Sequence, residues 1–355
     1  MSSASLMPCG QFRTTYGKDQ TIFPTPNSAR VVLLSLIVLC FAPLFLGDYA
    51  LTLCIQIGYF GIAALGLNIL VGCTGQISLG HAALFGFGAF ASTFINSHFG
   101  VPIFFSIPLA GALTTAVGMI VGVPAARLKG LYLAIATLAA QVILQDFFAR
   151  AGWFTGGSGG ASAAPFDLFG WNLGDDKSYF YVVLVYTAIM YVVGANILRT
   201  RDGRAFIALR DHYLSAEMMG ISLSRYRILA FGVSSFYAGV AGALYGHHLG
   251  YISAEGFTIF LSVQFLGMII IGGLGSVMGS LMGTVFMVLL PEAMQVVMRE
   301  FATFGISSGL TEGLAYLKEM AIGLAIILFL IFEPDGLAHR WRLIKAYWKL
   351  YPFSY

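Results

Sequence analysis

From Val31 to Phe332 the sequence returns repeatedly to apolar runs close to twenty residues long, separated by short polar or glycine-rich segments. A helix needs about 20 apolar residues to cross the hydrocarbon core of a bilayer. Charged residues make up only 10% of the chain and hydrophobic ones 58%. A soluble domain carries about 25% charge, so the excess apolar surface here must face lipid. The expected fold class is all-α, a polytopic membrane protein. Candidate spans are 31–47, 50–71, 77–96, 102–122, 130–149, 179–198, 224–247, 258–273, 276–297 and 313–332. That makes about ten crossings, with eight as the alternative, because several runs are short or glycine-broken. The run after Arg30 lacks an A-x-A cleavage pattern and reads as a retained first span rather than a signal peptide.

Orientation comes from Lys and Arg, which collect in cytoplasmic loops. They cluster at Arg13, Lys18 and Arg30, at Arg127 and Lys129, at Arg199 to Arg227, and at Arg340 to Lys349. The loop 151–178 instead carries Asp167, Asp175 and Asp176. Ten crossings place every basic cluster on one side and the acidic loop on the other, with both termini cytoplasmic. The expected organisation is a cytoplasmic N-terminal tail (1–30), one transmembrane domain (31–335) and a basic cytoplasmic C-terminal tail (336–355). The transmembrane domain includes a cytoplasmic segment at 199–227 and a periplasmic loop at 150–178.

Three stretches carry unusual chemistry. The first is GCTGQISLGHAALFGFGAF, residues 72–90. Glycine this dense breaks helices, and irregular backbone at membrane depth persists only under a cover of protein or beside a watery cavity. A bend is expected at Gly75, Gln76, Ser78 and His81, beside a permeation path. His81 reads either as a neutral histidine satisfied by a backbone carbonyl or as a gating or lining residue. The second is GGLGSVMGSLMG, residues 272–283. Gly275, Gly279 and Gly283 recur every four residues, a face that lets two helix backbones touch. Thr74, Ser78, Ala82 and Gly86, and then Ser235, Gly239 and Ala243, repeat the pattern. The first two stretches share context, which hints at an internal duplication.

The third stretch, Arg199 to Arg227, reads as a short amphipathic helix. Asp202 is the expected N-cap, and Phe206, Leu209 and Tyr213 share a face. Arg204, Arg210, Asp211 and Glu217 lie elsewhere on it, and Gly220 is the expected stop. Such a helix either docks into a partner's groove or rests on headgroups.

Several classes are excluded. No GxxxxGK[ST], HExxH or CxxC occurs, and the glycines sit in membrane-length apolar context rather than in a dinucleotide fold. The spans hold almost no Asp or Glu of the kind ion-coupled carriers bury. Gln56, Asn68, Gln141, Gln145 and Gln264 are polar but not ionisable. No nucleophile, base and orienting group are visible together, so an enzyme is disfavoured, and no cofactor is implied. A subunit driven by a separate ATPase and a passive channel both survive.

The segment GLNILVGCTGQISLGHAALFGFGAF resembles the hallmark of branched-chain amino acid ABC transporter permeases of the LivM type. The resemblance continues through RLKGLYLAIATLA (127–139), WFTGGSGG (153–160), DGRAFIALRDHYLSAEMMGISLSRYRILAF (202–231), AGVAGALYG (238–246), GMIIIGGLGSVMGSLMG (267–283) and FEPDGLAHRW (332–341). It implies the permease fold of an ABC importer with glycine-broken helices, set in the bacterial inner membrane. The implied partners are a second, LivH-like permease, two cytoplasmic ATPase subunits and a periplasmic binding protein delivering leucine, isoleucine or valine. Related permeases carry urea, short amides or aromatic acids. The segment Arg204 to Gly220 then resembles the coupling helix that docks on the ATPase, with Glu217 and Gly220 similar to an importer E-x-x-x-G loop at shorter spacing.

Overall fold

The computed structural model describes residues 26–128, 130–168, 171–303 and 310–350. The expectations for residues 1–25, Lys129 and 351–355 lie outside them. The described helices, in chain order, are α1 (Pro26–Phe45), α2 (Asp48–Thr74), α3 (His81–Phe99), α4 (Ile103–Ala125), α5 (Leu131–Arg150), the single turn α6 (Gly152–Thr155) and α7 (Asp176–Ile197). They continue with α8 (Arg201–Met218), α9 (Leu223–Leu249), α10 (Ile259–Gly272), α11 (Val277–Thr303), α12 (Leu310–Phe332) and α13 (Leu337–Leu350). Two small antiparallel pairs complete the fold. β1 (Ala161–Ser162) pairs with β4 (Tyr251–Ile252), and β2 (Asp167–Leu168) with β3 (Trp171–Asn172).

Apolar sequence alone does not say which helix faces lipid; packing does. The membrane-length windows of α2 and α9 are each 72% buried, against 28% for α5 and 22% for α7. α2 and α9 are therefore the central pillars. α4, α5 and α7 form part of the outer layer and expose Ile120, Ile143, Val185 and Ile189. α9 packs on α2, α3 and α4. These approaches need small residues, because lipid removes the hydrophobic drive between helices and leaves dispersion to do the holding. A Cβ on Gly118 would lie 1.7 Å from Ser235 Oγ, and one on Gly88 would lie 2.3 Å from the Gly239 carbonyl. The Ser235–Gly239–Ala243 stripe is thus a close-contact face of α9.

The contacts sort the loops into two ends. At one end Arg227 Nη1 donates to the Ala126 carbonyl at 2.8 Å, and Arg210 Nη1 to the Gly72 carbonyl at 2.9 Å. Gly336 packs backbone to backbone on Gly273. At the other end Asp176 accepts from Thr52 and faces His248, and His247 Nδ1 meets the Ala164 carbonyl at 2.8 Å. Among the described residues, the basic segments around Arg127, Arg210, Arg227 and Gly336 share the first end, and Ala164 and the start of α7 lie at the second, the partition that the charge pattern leads one to expect.

Seven described helices are long and apolar enough to cross a membrane. An eighth is counted if Met320–Phe332 and Leu337–Tyr347, bent by 48°, are taken together. The expected ten are not reached on this measure. The run at 77–96 becomes α3, beginning only at His81, and the apolar part of α1 is a shorter helix, Arg30–Phe45. Residues 337–350 are helical, and Ala338 is buried close to Gly273. The basic C-terminal segment is thus packed on the body where it begins, at Gly336 and Ala338.

Candidate functional site

α2 stops at the basic end because Gly75 takes the left-handed conformation, φ +70°. Its N–H donates to the Val71 carbonyl at 3.1 Å, and Gln76 N–H to the Leu70 carbonyl at 3.3 Å. This glycine cap satisfies two of the helix's last carbonyls. The chain then turns back along α2 without helical structure. His81 Nε2 reaches the Ala63 carbonyl at 2.9 Å. Ala63 precedes the α2 end by 11 residues, so α3 begins about 16 Å inside the body at 1.5 Å per residue.

A helix start buried that deeply needs foreign acceptors for its N–H groups. They come from neighbouring helices. Leu79 N–H donates to Thr137 Oγ1 at 3.0 Å, Ala82 N–H to Ser262 Oγ at 2.9 Å, and Ala83 N–H to Gln141 Oε1 at 2.8 Å. Gln141 Nε2 in turn donates to the Phe257 carbonyl at 2.8 Å. The side chains of the break alternate. Gln76, Ser78 and His81 point inward and are buried, whereas Gly75 and Ile77 are exposed.

The α10–α11 break is built differently. Gly273 (φ +110°) and Gly275 (φ +78°) turn the chain within four residues, 273–276. Ser276 caps α11 itself, its Oγ accepting from Gly279 N–H at 3.1 Å. The tight turn presses α10 and α11 together. A Cβ on Gly272 would meet the Gly279 carbonyl at 2.0 Å, and one on Gly283 the Met268 carbonyl at 1.8 Å. Gly279 and Gly283 thus form the expected packing face. Gly275 does not share it: it lies in the break, where the positive φ takes it off the helix, and it packs on Gly72 instead. The Thr74–Ser78–Ala82–Gly86 stripe is likewise no single face, because only Ala82 and Gly86 are in α3. Gly86 there seats the Phe257 ring.

The second break is tied to α2 at Asn68, which the sequence marks only as polar. Its Oδ1 accepts from Gly275 N–H and its Nδ2 donates to the Ser276 carbonyl, both at 2.8 Å. The signal for it was present: an amide in the middle of an apolar span must find partners. Gln141, Thr137 and Ser262 escaped a functional reading for the same reason.

α8 lies against the same point. Thr200, not Asp202, is its N-cap, accepting from Gly203 N–H at 3.2 Å. Phe206 and Leu209 are buried and anchor the helix, with Phe206 edge-on to Tyr226. His212 then leaves helical geometry at φ −157°. This kink turns Tyr213 out of the expected face, leaving it 36% exposed. Arg204, Arg210, Asp211, Glu217 and Gly220 are exposed. Gly220, at φ +84°, ends the helix as expected, with Ile221 N–H returning to the Ala216 carbonyl at 3.0 Å. Met218 and Met219 stand 90% and 85% exposed at the tip.

Known proteins share this chain's pattern over most of its length. The family model described as "Branched-chain amino acid transport system / permease component" matches residues 49–331. The chain belongs to that family. It is similar to the "High-affinity branched-chain amino acid transport system permease protein LivM" of Salmonella typhimurium strain LT2, 28% identical over 281 residues. That match covers 72% of this chain and 62% of the relative, so the chain spans under two thirds of that relative's length. A "Probable branched-chain amino acid transport permease protein LivM" from Methanocaldococcus jannaschii is 26% identical over 236 residues, covering 65% of this chain and 67% of the relative. Over a shorter stretch, 28% of the chain and 30% of the relative, it is 27% identical to the "Autoinducer 2 import system permease protein LsrC" of Enterobacter sp. strain 638. No solved structure matches.

Both breaks and α8 fall within the matched segment of this branched-chain amino acid permease family member. Among the expected bend residues, Gln76, Ser78 and His81 come together on the inner side of one break. Among the residues expected to couple, the structure divides buried anchors from an exposed surface.

Proposed function

We propose that this chain is a transmembrane permease subunit of an ATP-binding-cassette importer for leucine, isoleucine and valine. A second, LivH-like permease completes the path, two ATPase subunits sit on the basic end, and a periplasmic binding protein delivers substrate to the acidic end. The chain resides in the bacterial inner membrane with its basic end in the cytoplasm, a side that the excess of Lys and Arg supports.

The observation that carries this reading is α8. It is held to the body by Phe206 and Leu209, yet it projects Met218 and Met219 away from the protein. Beside them is a cavity of about 360 Å³ lined by Arg201, Arg204, Met219, Gly220, Ile221 and Tyr226. Exposed apolar residues next to a cationic recess suit a partner that brings an apolar groove and an acidic side chain. In this reading Arg204, Arg210, Asp211, Glu217 and Gly220 belong to the ATPase-facing surface, with Phe206 and Leu209 as its anchors. The α2–α3 break lies beside the path. Gly75 and Ile77 are its open side, and Gln76, Ser78 and His81 hold it from behind.

The experiment is uptake into proteoliposomes containing the chain, the second permease, the ATPases and the binding protein. ATP-dependent uptake of leucine, competed by isoleucine and valine but not by urea, is expected. Met218→Asp with Met219→Asp should lower ATPase co-purification about tenfold, a loss of some 1.4 kcal/mol of binding. Leucine or urea flux through the chain alone, without ATP, would overturn the reading in favour of a passive channel.

A further inference from the structure

The Arg210 guanidinium is oriented by its own neighbour. Nε and Nη2 both lie 2.9 Å from Asp211 Oδ1, which leaves Nη1 to bond the Gly72 carbonyl at 2.9 Å. Gly72 is in the last turn of α2, where carbonyls lack helical partners and the helix dipole is negative. A cationic side chain is stabilising at such an end.

Gly72 is also the point at which α2 touches the other break. A Cβ there would lie 2.3 Å from Gly275 N and 2.2 Å from Asn68 Oδ1. One on Gly275 would lie 3.0 Å from Arg210 Nη1. Asn68, 2% exposed, pairs its amide with the Gly275 N–H and the Ser276 carbonyl as one peptide group pairs with another. Within one small volume, then, a side chain of α8 holds the end of α2 that leads into the first break. A side chain of α2 holds the backbone of the second break. α8 itself bends at His212, two residues beyond Arg210.

We infer that Arg210 and Asn68 form one linkage that carries displacement of α8 to both helix breaks. This rests on the reading that α8 docks on an ATPase, and it makes Arg210 and Asn68 positioning residues for transport. The linkage fits a shared element better than two separate packing contacts, because Gly72 and Gly275 touch both side chains, Gly72 leaves no room for a Cβ, and one on Gly275 would crowd Arg210. Displacing α8 at Arg210 strains the Arg210–Gly72 bond. Gly72 then moves against Gly275, whose N–H is tied through Asn68 to the same helix.

The test uses the complete transporter in proteoliposomes and reads substrate taken up per ATP hydrolysed, alongside ATPase co-purification. Asn68→Leu, away from the ATPase-facing surface, is expected to leave co-purification unchanged and to lower the substrate-to-ATP ratio about tenfold, and Arg210→Ala to lower that ratio by clearly more than any loss of co-purification it causes. Arg210→Lys, which keeps the charge but not the fork, should recover part of it. The double variant should fall no further than the worse single one, because one linkage can be broken only once. Unchanged ratios in folded single variants overturn the inference. So do losses that add in the double variant, and so does uptake that falls only in step with lost ATPase. If Asn68→Leu does not accumulate, Arg210→Ala and its Lys rescue decide the matter. A wild-type complex without ATP-driven uptake refutes the importer reading instead.

Discussion

The α2–α3 break spans residues 75–80 and the α10–α11 break residues 273–276, and each opens on a glycine of positive φ, Gly75 at +70° and Gly273 at +110°. From there they diverge. The first runs back into the body without helical structure, and other helices supply its caps: Thr137 and Gln141 from α5 and Ser262 from α10. The second turns at once, caps itself through Ser276, and uses its glycines for helix contact at Gly272, Gly279 and Gly283. Glycine allows the chain to turn in both places. Asn68 ties the second break to α2 as well, so the difference lies in the start of the next helix: α11 finds its acceptor in its own turn, and α3 finds its acceptors across the bundle.

The largest effect should come from the second break's contact face. Gly283→Val places a branched side chain where a Cβ already falls 1.8 Å from the Met268 carbonyl and 2.8 Å from Gly272 N. Backbone cannot yield as a flexible side chain can. The cost is expected to reach or exceed the usual overpacking range of about 1–3 kcal/mol. Monodisperse protein recovered in detergent is the measure, and little should remain. Near-normal recovery would mean that α10 and α11 separate freely, and the contrast between a rigid second break and a dependent first one would fail.

Next should come a variant of the first break's borrowed caps. Gln141→Leu strips Ala83 N–H of its acceptor and the Phe257 carbonyl of its donor, both in the interior. Each buried group left unpaired costs about 1–3 kcal/mol. A clear drop in thermal midpoint is expected, with the protein still folded. A larger loss than that of Gly283→Val would invert the ranking and make the capped helix start, rather than the glycine contact, the weaker point of the bundle.

These partners explain what the sequence made legible. Spans and the charge partition depend on local composition, so hydropathy and Lys/Arg counts read them directly, as at 50–71 and 224–247. The borrowed caps do not. Gln141 lies 58 residues from Ala83, Ser262 lies 180 from Ala82, and Asn68 lies 207 from Gly275. No local pattern pairs residues so far apart. Counting every fourth residue also assumes an unbroken helix. That assumption put Gly275 on a face with Gly279 and Gly283, and Tyr213 with Phe206 and Leu209. Gly275, at positive φ, lies in the break before α11 begins, and α8 kinks at His212, so the counting ran across an interruption in both places.

The smallest effect should appear at Gly75, and it separates two reasons for a glycine. The left-handed φ of +70° disfavours most side chains by about 1–2 kcal/mol, but Asn visits this region routinely. The space is also open, since a Cβ on Gly75 meets Arg210 Cγ at an ordinary 3.4 Å. Gly75→Asn should therefore cost well under about 1 kcal/mol. Gly275→Asn meets the same conformational condition at φ +78°, but its Cβ falls 3.0 Å from Arg210 Nη1 and 3.2 Å from the Gly72 carbonyl. It should be distinctly worse, because the Arg210–Gly72 bond must give way. Thermal midpoints of the two variants side by side provide the measurement. Equal midpoints would mean that φ alone fixes both glycines and that the crowding at Gly275 has no energetic weight. A gap in the expected direction would locate the constraint in the contact among α2, α8 and the second break.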